Sequence, residues 1–219
     1  MDFSIEGGAD GIRVLSIGPP PNEFNPAFLD GFGAALDAVE SDPAATGLVT
    51  VGADKHYSNG FELAHLAGLA DPMPFVERSC RLLARLLVFP LPTVAAVNGH
   101  AFGIGAMLAL AHDQRVMNSE RGWLCLPEID MGLRLHPFMQ ELVVARLGSP
   151  AATDAVIGGG RYDGAAAAAA GFVHEVAPAE SVVGVAVSLA HARAGRDRGV
   201  TAAIKTDLFG PILARLPPA

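Results

Sequence analysis

The chain reads as an α/β fold of mostly parallel strands with helices packed outside them, and three features predict it. Strand-helix-strand patterns recur along the sequence, which implies parallel pairing through helical crossovers. Twenty-five glycines and 16 prolines punctuate those patterns. Hydrophobic residues make up 51% of the chain against 17% charged, a balance that builds a core rather than a disordered coil. At 219 residues the chain is long enough for one large core, and no linker or internal repeat divides it.

Ile12 to Ile17 and Thr46 to Val51 read as strands. Between them Asn25 is placed to cap a helix whose first residue is Pro26, with Leu29, Phe32, Leu36 and Val39 on one face. Val76, Cys80, Leu83 and Leu87 mark a second amphipathic helix, stopped before Pro90, and Thr93 to Val97 is a buried strand. A helix is expected from Gly103 to His112, then short strands at Arg115 to Asn118 and Trp123 to Leu126. Pro137 to Leu147 reads as a helix closed by Gly148, and Ser149-Pro150 opens another. The alanine run Ala165 to Ala170, capped by Asp163 and ended by Gly171, is a short helix. Phe172 to Val176 reads as a strand, and from Glu180 to near Leu216 the chain is helical, with a break around Gly195 to Gly199.

Mean hydropathy is positive, yet the longest apolar runs, Ala101 to Ala111 and Ala165 to Val173, are shorter than the roughly 18 to 20 residues a membrane span needs. A soluble, unexported, cytoplasmic protein is expected, with no membrane partner. A formal charge of −8 and the lack of any basic run argue against a nucleic-acid surface. Cys80 and Cys125, each in an apolar segment, suit reduced core thiols, and no cysteine or histidine spacing indicates a metal.

Three segments concentrate the chemistry. In Pro92 to Ala106 an apolar strand runs into a turn with Gly103 and Gly105 and then a helix, a geometry that presents unpaired backbone N–H groups. Lys55 to Glu62, after the strand ending near Val51, is a polar loop with an Asn59-Gly60 turn that offers a second set of donors. Both follow the C-terminal ends of strands, where α/β folds place ligands. In Leu126 to Leu133 a single carboxylate, Glu128, stands among apolar neighbours; facing a dry pocket it becomes a proton carrier near neutral pH.

Asn98-Gly-His-Ala-Phe-Gly-Ile-Gly-Ala, Ser58-Asn-Gly-Phe-Glu-Leu and Leu126-Pro-Glu-Ile-Asp-Met-Gly-Leu resemble, in order and spacing, the signature segments of the enoyl-CoA hydratase/isomerase (crotonase) superfamily. The stretch from Gly160-Arg-Tyr-Asp-Gly to Gly171-Phe-Val-His-Glu-Val is similar to that family's alanine-rich helix and following strand. The resemblance implies a crotonase-like fold of repeated ββα units with a helical C-terminal region, and an acyl-CoA thioester as substrate with no cofactor beyond its CoA. It places the two oxyanion-hole donors at the N–H groups of Phe61 and Ile104, and the acid/base at Glu128. Ile104 stands where a glycine is common, so the donor survives while a side chain crowds it. Asn59, Gly60, Gly103 and Gly105 would surround the substrate. Lys55 and His56 would meet CoA phosphates or remain solvated loop charges. His100 reads as a structural histidine, and Asp113 with Arg115 as a structural pair.

Family hydratases use two glutamates, and the helix position of the first is Met107 in this chain. Hydration needs an activated water opposite a proton donor, whereas one base can move a proton from C2 to C4, so the resemblance implies isomerisation. Gly132-Leu-Arg-Leu-His-Pro-Phe-Met-Gln-Glu-Leu and Arg146-Leu-Gly-Ser-Pro-Ala-Ala resemble peroxisomal-type Δ3-Δ2-enoyl-CoA isomerases, although the sequence ends Leu216-Pro-Pro-Ala219 rather than in a Ser-Lys-Leu signal. Leu135, Phe138 and Met139 either wall the acyl pocket or pack as ordinary core. A single-glutamate hydratase and a non-catalytic acyl-CoA-binding subunit are the alternatives. A core domain of residues 1–195 and a helical tail of residues 196–219 are expected, assembled as a homotrimer or a dimer of trimers with the C-terminal helices near the interface.

Overall fold

A computed structural model describes residues 3–8 and 10–217 of the protein. The chain opens with β1 (Ser4–Gly7), β2 (Ile12–Ser16) and β3 (Glu23–Phe24), followed by α1 (Pro26–Ser41) and β4 (Gly47–Val51). Then come β5 (His56–Ser58), β6 (Gly60–Phe61), α2 (Leu63–Ala67), α3 (Met73–Leu87), β7 (Thr93–Val97), β8 (His100–Phe102) and α4 (Ile104–Leu110). β9 (Gln114–Asn118), β10 (Leu124–Cys125), a 3₁₀ turn (Pro127–Ile129), α5 (Pro137–Leu147) and α6 (Ser149–Gly158) follow. The described chain closes with β11 (Arg161–Tyr162), α7 (Gly164–Ala169), β12 (Glu175–Ala177), α8 (Val182–His191) and α9 (Arg198–Leu213).

Strands β1-β2-β4-β7-β9-β12 form one six-stranded sheet in which only β1 runs antiparallel to its neighbour. Both faces of its central strands are buried, so consecutive side chains enter different cores. Leu15, Leu48, Ala95 and Val97 face the large core with α1, α3, α4 and α5. Ile12, Val49, Val94, Ala96 and Val116 face Val182, Ala186 and Ala190 of α8. A second sheet, β11-β10-β8-β5, and the β3-β6 pair carry the segments of interest. Helix α9 packs onto the large core through Phe209 and Ile212, and Lys205 reaches from it to the carbonyls of Phe89 and Leu91 at 3.0 and 2.9 Å.

The capping signals hold. Asn25 Oδ1 accepts from the Phe28 N–H at 2.8 Å and Asp163 Oδ1 from the Ala166 N–H at 2.9 Å, each satisfying a donor at a helix start. α5 spans the expected residues Pro137–Leu147. Four expectations are corrected. The Lys55 to Glu62 loop contains β5 and β6, and the turn before α4 contains β8; each is two or three residues long and paired with a distant segment. Phe172 and Val173 are not strand: after Gly171 (φ +81°) their N–H groups return to the Ala167 carbonyl and their side chains are buried, which closes α7. The helix after Gly103 ends at Leu110 rather than His112. The Asp113 carboxylate pairs with Lys205 Nζ at 2.6 Å rather than with Arg115, whose guanidinium instead donates to the carbonyls of Phe172 and His112. Pro218 and Ala219 lie outside the described residues. Among those residues, no helix is long and apolar enough to cross a membrane.

Candidate active site

The β5-β6 turn and the start of α4 are pressed together by glycines. A Cβ on Gly60 (φ +89°) would stand 2.7 Å from the Phe102 carbonyl oxygen and 3.9 Å from the Ile104 nitrogen. A Cβ on Gly105 would stand 2.4 Å from the Ser58 carbonyl oxygen. Only residues without a Cβ allow this approach. Phe61 pairs in register with Phe24, and the next N–H, that of Glu62, donates to the Phe24 carbonyl at 3.1 Å. Amide directions alternate along an extended segment, so the Phe61 N–H points away from β3. Ile104 is the first residue of α4, and its N–H has no intrahelical acceptor. The turn that carries Phe61 and the start of α4 are thus in direct contact.

Glu128 lies in the 3₁₀ turn after β10. The Gly103 N–H donates to the Cys125 carbonyl at 3.0 Å, tying the head of α4 to that strand. Gly103 is held at φ +52°, and a Cβ there would lie 3.1 Å from Glu128 Oε1. The carboxylate therefore rests over the glycine that precedes the Ile104 donor. Its Oε2 is buried without a hydrogen-bond partner, and desolvation pushes its pKa up against the opposing pull of its own backbone N–H. An unpaired, partly desolvated carboxylate beside the glycine turn that opens α4 suits proton transfer next to a developing oxyanion.

The remaining sequence candidates separate into two sets. Ile104, Met107, Leu135 and Phe138 are buried together in the large core, so the Ile104 side chain points into packing. Phe61 packs between Phe24 and Phe75, with ring centroids 6.0 and 5.9 Å away. Asn59 is held by Glu23, to whose Oε1 its amide donates at 3.1 Å. Lys55 is exposed. His56 stands opposite His100 in register, with ring centroids 5.7 Å apart, and desolvation lowers the pKa of both. Among the described residues, no group of three or more His, Cys, Asp or Glu side chains is arranged to hold a metal ion. Sequence reading gave no role to Thr50, Tyr57 or His112, which are buried and hydrogen-bonded together behind the site. No local pattern announces them.

A crotonase fold with paired glycine turns and one carboxylate at their junction defines the class. The chain belongs to the enoyl-CoA hydratase/isomerase family, which it matches over residues 8–212. It is similar to enoyl-CoA delta isomerase 3 of Arabidopsis thaliana, at 34% identity over 97% of this chain and 94% of that protein. A putative enoyl-CoA hydratase of Thermus thermophilus is 32% identical over 85% of this chain and 75% of its own length. Among solved structures, human mitochondrial delta3-delta2-enoyl-CoA isomerase superposes with a TM-score of 0.90 at 25% identity, covering 98% of this chain and 85% of the human one.

Proposed function

We propose that this protein is an enoyl-CoA isomerase that moves the double bond of a 3-enoyl-CoA to the 2-position. The thioester oxygen sits between the Phe61 and Ile104 N–H groups. Glu128 removes a proton from C2, the electrons pass into a dienolate whose oxyanion the two donors stabilise, and the carboxylic acid returns the proton at C4. Gly60, Gly103 and Gly105 let the thioester approach the backbone, with Asn59 in the turn beside it. Lys55 and His56 contact the CoA phosphates, and Leu135 and Phe138 border the acyl chain. CoA enters as part of the substrate, no further cofactor takes part, and the protein works as a homotrimer or a dimer of trimers.

The observation that carries this reading is the Glu128 carboxylate lying over Gly103, next to the Ile104 donor, with Oε2 unpartnered. Apolar, fully buried Met107 in α4 supports one-base chemistry, because it occupies the place where family hydratases hold a second glutamate. The test is incubation with matched 3-enoyl- and 2-enoyl-CoAs, with products separated by mass and retention. Conversion of the 3-enoyl to the 2-enoyl thioester at unchanged mass, abolished in Glu128→Ala, is expected. A product heavier by one water makes the enzyme a hydratase, and binding without conversion makes it an acyl-CoA carrier.

A further inference from the structure

Three fully buried side chains that the proposed reaction does not use connect β5, just ahead of the Phe61 turn, to α4, which begins with Ile104. The Tyr57 hydroxyl lies 2.8 Å from Thr50 Oγ1, and Thr50 Oγ1 lies 2.8 Å from His112 Nε2. The His112 ring reaches the Leu108 carbonyl through Nδ1 at 2.9 Å. A carbonyl only accepts, so Nδ1 carries the proton and Nε2 of the neutral ring is an acceptor. Thr50 must therefore donate to Nε2, and its own oxygen accepts from the Tyr57 hydroxyl. Burial keeps the ring neutral, its pKa down at about 3, so this chain of hydrogen bonds runs in one direction.

The placement of its ends is specific. Tyr57 belongs to β5, four residues before Phe61. Leu108 lies one turn beyond Ile104 in α4. Thr50 belongs to β4, inside the main sheet, and its side chain points to the large-core face along with that of Leu48. One hydroxyl on a rigid strand thus holds β5, which leads into the Phe61 turn, and through His112 also α4, while the contact of Gly105 with the Ser58 carbonyl limits how near they come. His112 is in turn fixed through its carbonyl, which accepts from Arg115 and Arg146 at 3.1 Å each.

We infer that Thr50, acting through Tyr57 and His112, is a positioning residue that sets the separation of the Phe61 and Ile104 donors on the thioester oxygen. The inference rests on the oxyanion hole proposed above. A small misplacement of donors weakens stabilisation of the enolate more than binding of the ground state.

The experiment reads the donors directly, from the Raman carbonyl stretch of 2-butenoyl-CoA bound to the protein, alongside isomerase kinetics. In the parent the bound carbonyl stretch falls below its frequency in water. Thr50→Val, which keeps the shape and removes the hydroxyl, is expected to diminish that fall and to lower kcat about tenfold or more. KM should stay within about threefold, as expected when transition-state stabilisation alone is lost. Thr50→Ser, which restores the hydroxyl, is expected to recover both. Tyr57→Phe removes a single hydroxyl, and should shift both readouts the same way if Thr50→Val does not fold. A parental carbonyl shift and kcat in folded Thr50→Val or Tyr57→Phe would overturn the inference and leave the proposed function standing. A loss of stability with an unchanged carbonyl shift would also overturn it, assigning the network to folding alone. An unshifted carbonyl in the parent would remove the oxyanion hole and the inference together.

Discussion

The two ends of α4 are finished in opposite ways. At its start, Gly103 takes a left-handed conformation, the Ile104 N–H has no intrahelical acceptor and Glu128 Oε2 is buried without a partner. At and past its end, carbonyls are occupied by side chains: Leu108 by the His112 ring, Leu110 by Arg146 Nε at 2.8 Å, and His112 by both Arg115 and Arg146. Lys205 and Asp113 close the same region. Unsatisfied buried polar groups destabilise a fold, and they persist where the surroundings hold them in place. The contrast teaches that one helix can carry an open, unsatisfied end and a fully braced one, and four substitutions or conditions break or sharpen it.

The largest effect belongs to the open end. Glu128→Gln should lower kcat by roughly 10² to 10⁴ while leaving the protein folded, since a positioned acid/base supplies about that much. It should also raise the melting temperature at neutral pH. Burial lifts the folded pKa of Glu128, so the fold favours the protonated form, and stability falls as pH rises from the unfolded value through the folded one. Glutamine removes that loss, and the thermal gain should vanish towards pH 4. An inactive variant that is less stable at neutral pH would contradict the open-end assignment.

Breaking the locked end should act on stability first. Arg115→Met removes the guanidinium donor of the Phe172 carbonyl, leaves the His112 carbonyl to Arg146 alone, and is expected to lower stability by about 2–4 kcal/mol in urea unfolding. Acid should loosen the same end more gradually. Desolvation holds buried His112 neutral in the fold, down to about 3, while in the unfolded chain it protonates near 6.5. Its contribution is complete above the unfolded value and is lost as pH falls towards the folded one, by at most about 1.4 kcal/mol per pH unit. The urea midpoint should therefore drop between about pH 7 and pH 5, and a flat profile would show that the locked end does not bury a neutral ring. The smallest effect lies far from α4. Gly184 in α8 has open space where a Cβ would stand, so Gly184→Ala should add roughly 0.5–1 kcal/mol with kcat unchanged.

Helices were legible from sequence wherever their ends carry a chemical signal. Asn25 with Pro26, Asp163 before the alanine run, and Pro137 with Gly148 each act on neighbouring residues, so chain order alone reveals them. Strands β5, β6 and β8 were not legible, because two or three residues carry no periodicity and their partners lie far away in sequence, as with His56 against His100 and Gly60 against Glu23. Phe172 and Val173 looked like strand because closing a helix with buried side chains requires the same apolar residues. Asp113 and Arg115 looked like a pair because they are near in sequence, whereas Lys205, 92 positions on, makes the contact.

By itself the sequence determined the α/β class, the family, the two glycine turns and the single carboxylate, since these rest on local chain chemistry and on segments whose order survives without coordinates. Tertiary structure alone decided that Gly60 and Gly105 bring the turns into contact, that Glu128 stands over Gly103 with one oxygen unpartnered, and that Thr50 joins Tyr57 to His112. The physical reason is that desolvation and hydrogen-bond direction depend on everything surrounding an atom. Those surroundings are gathered from strands and helices far apart along the chain.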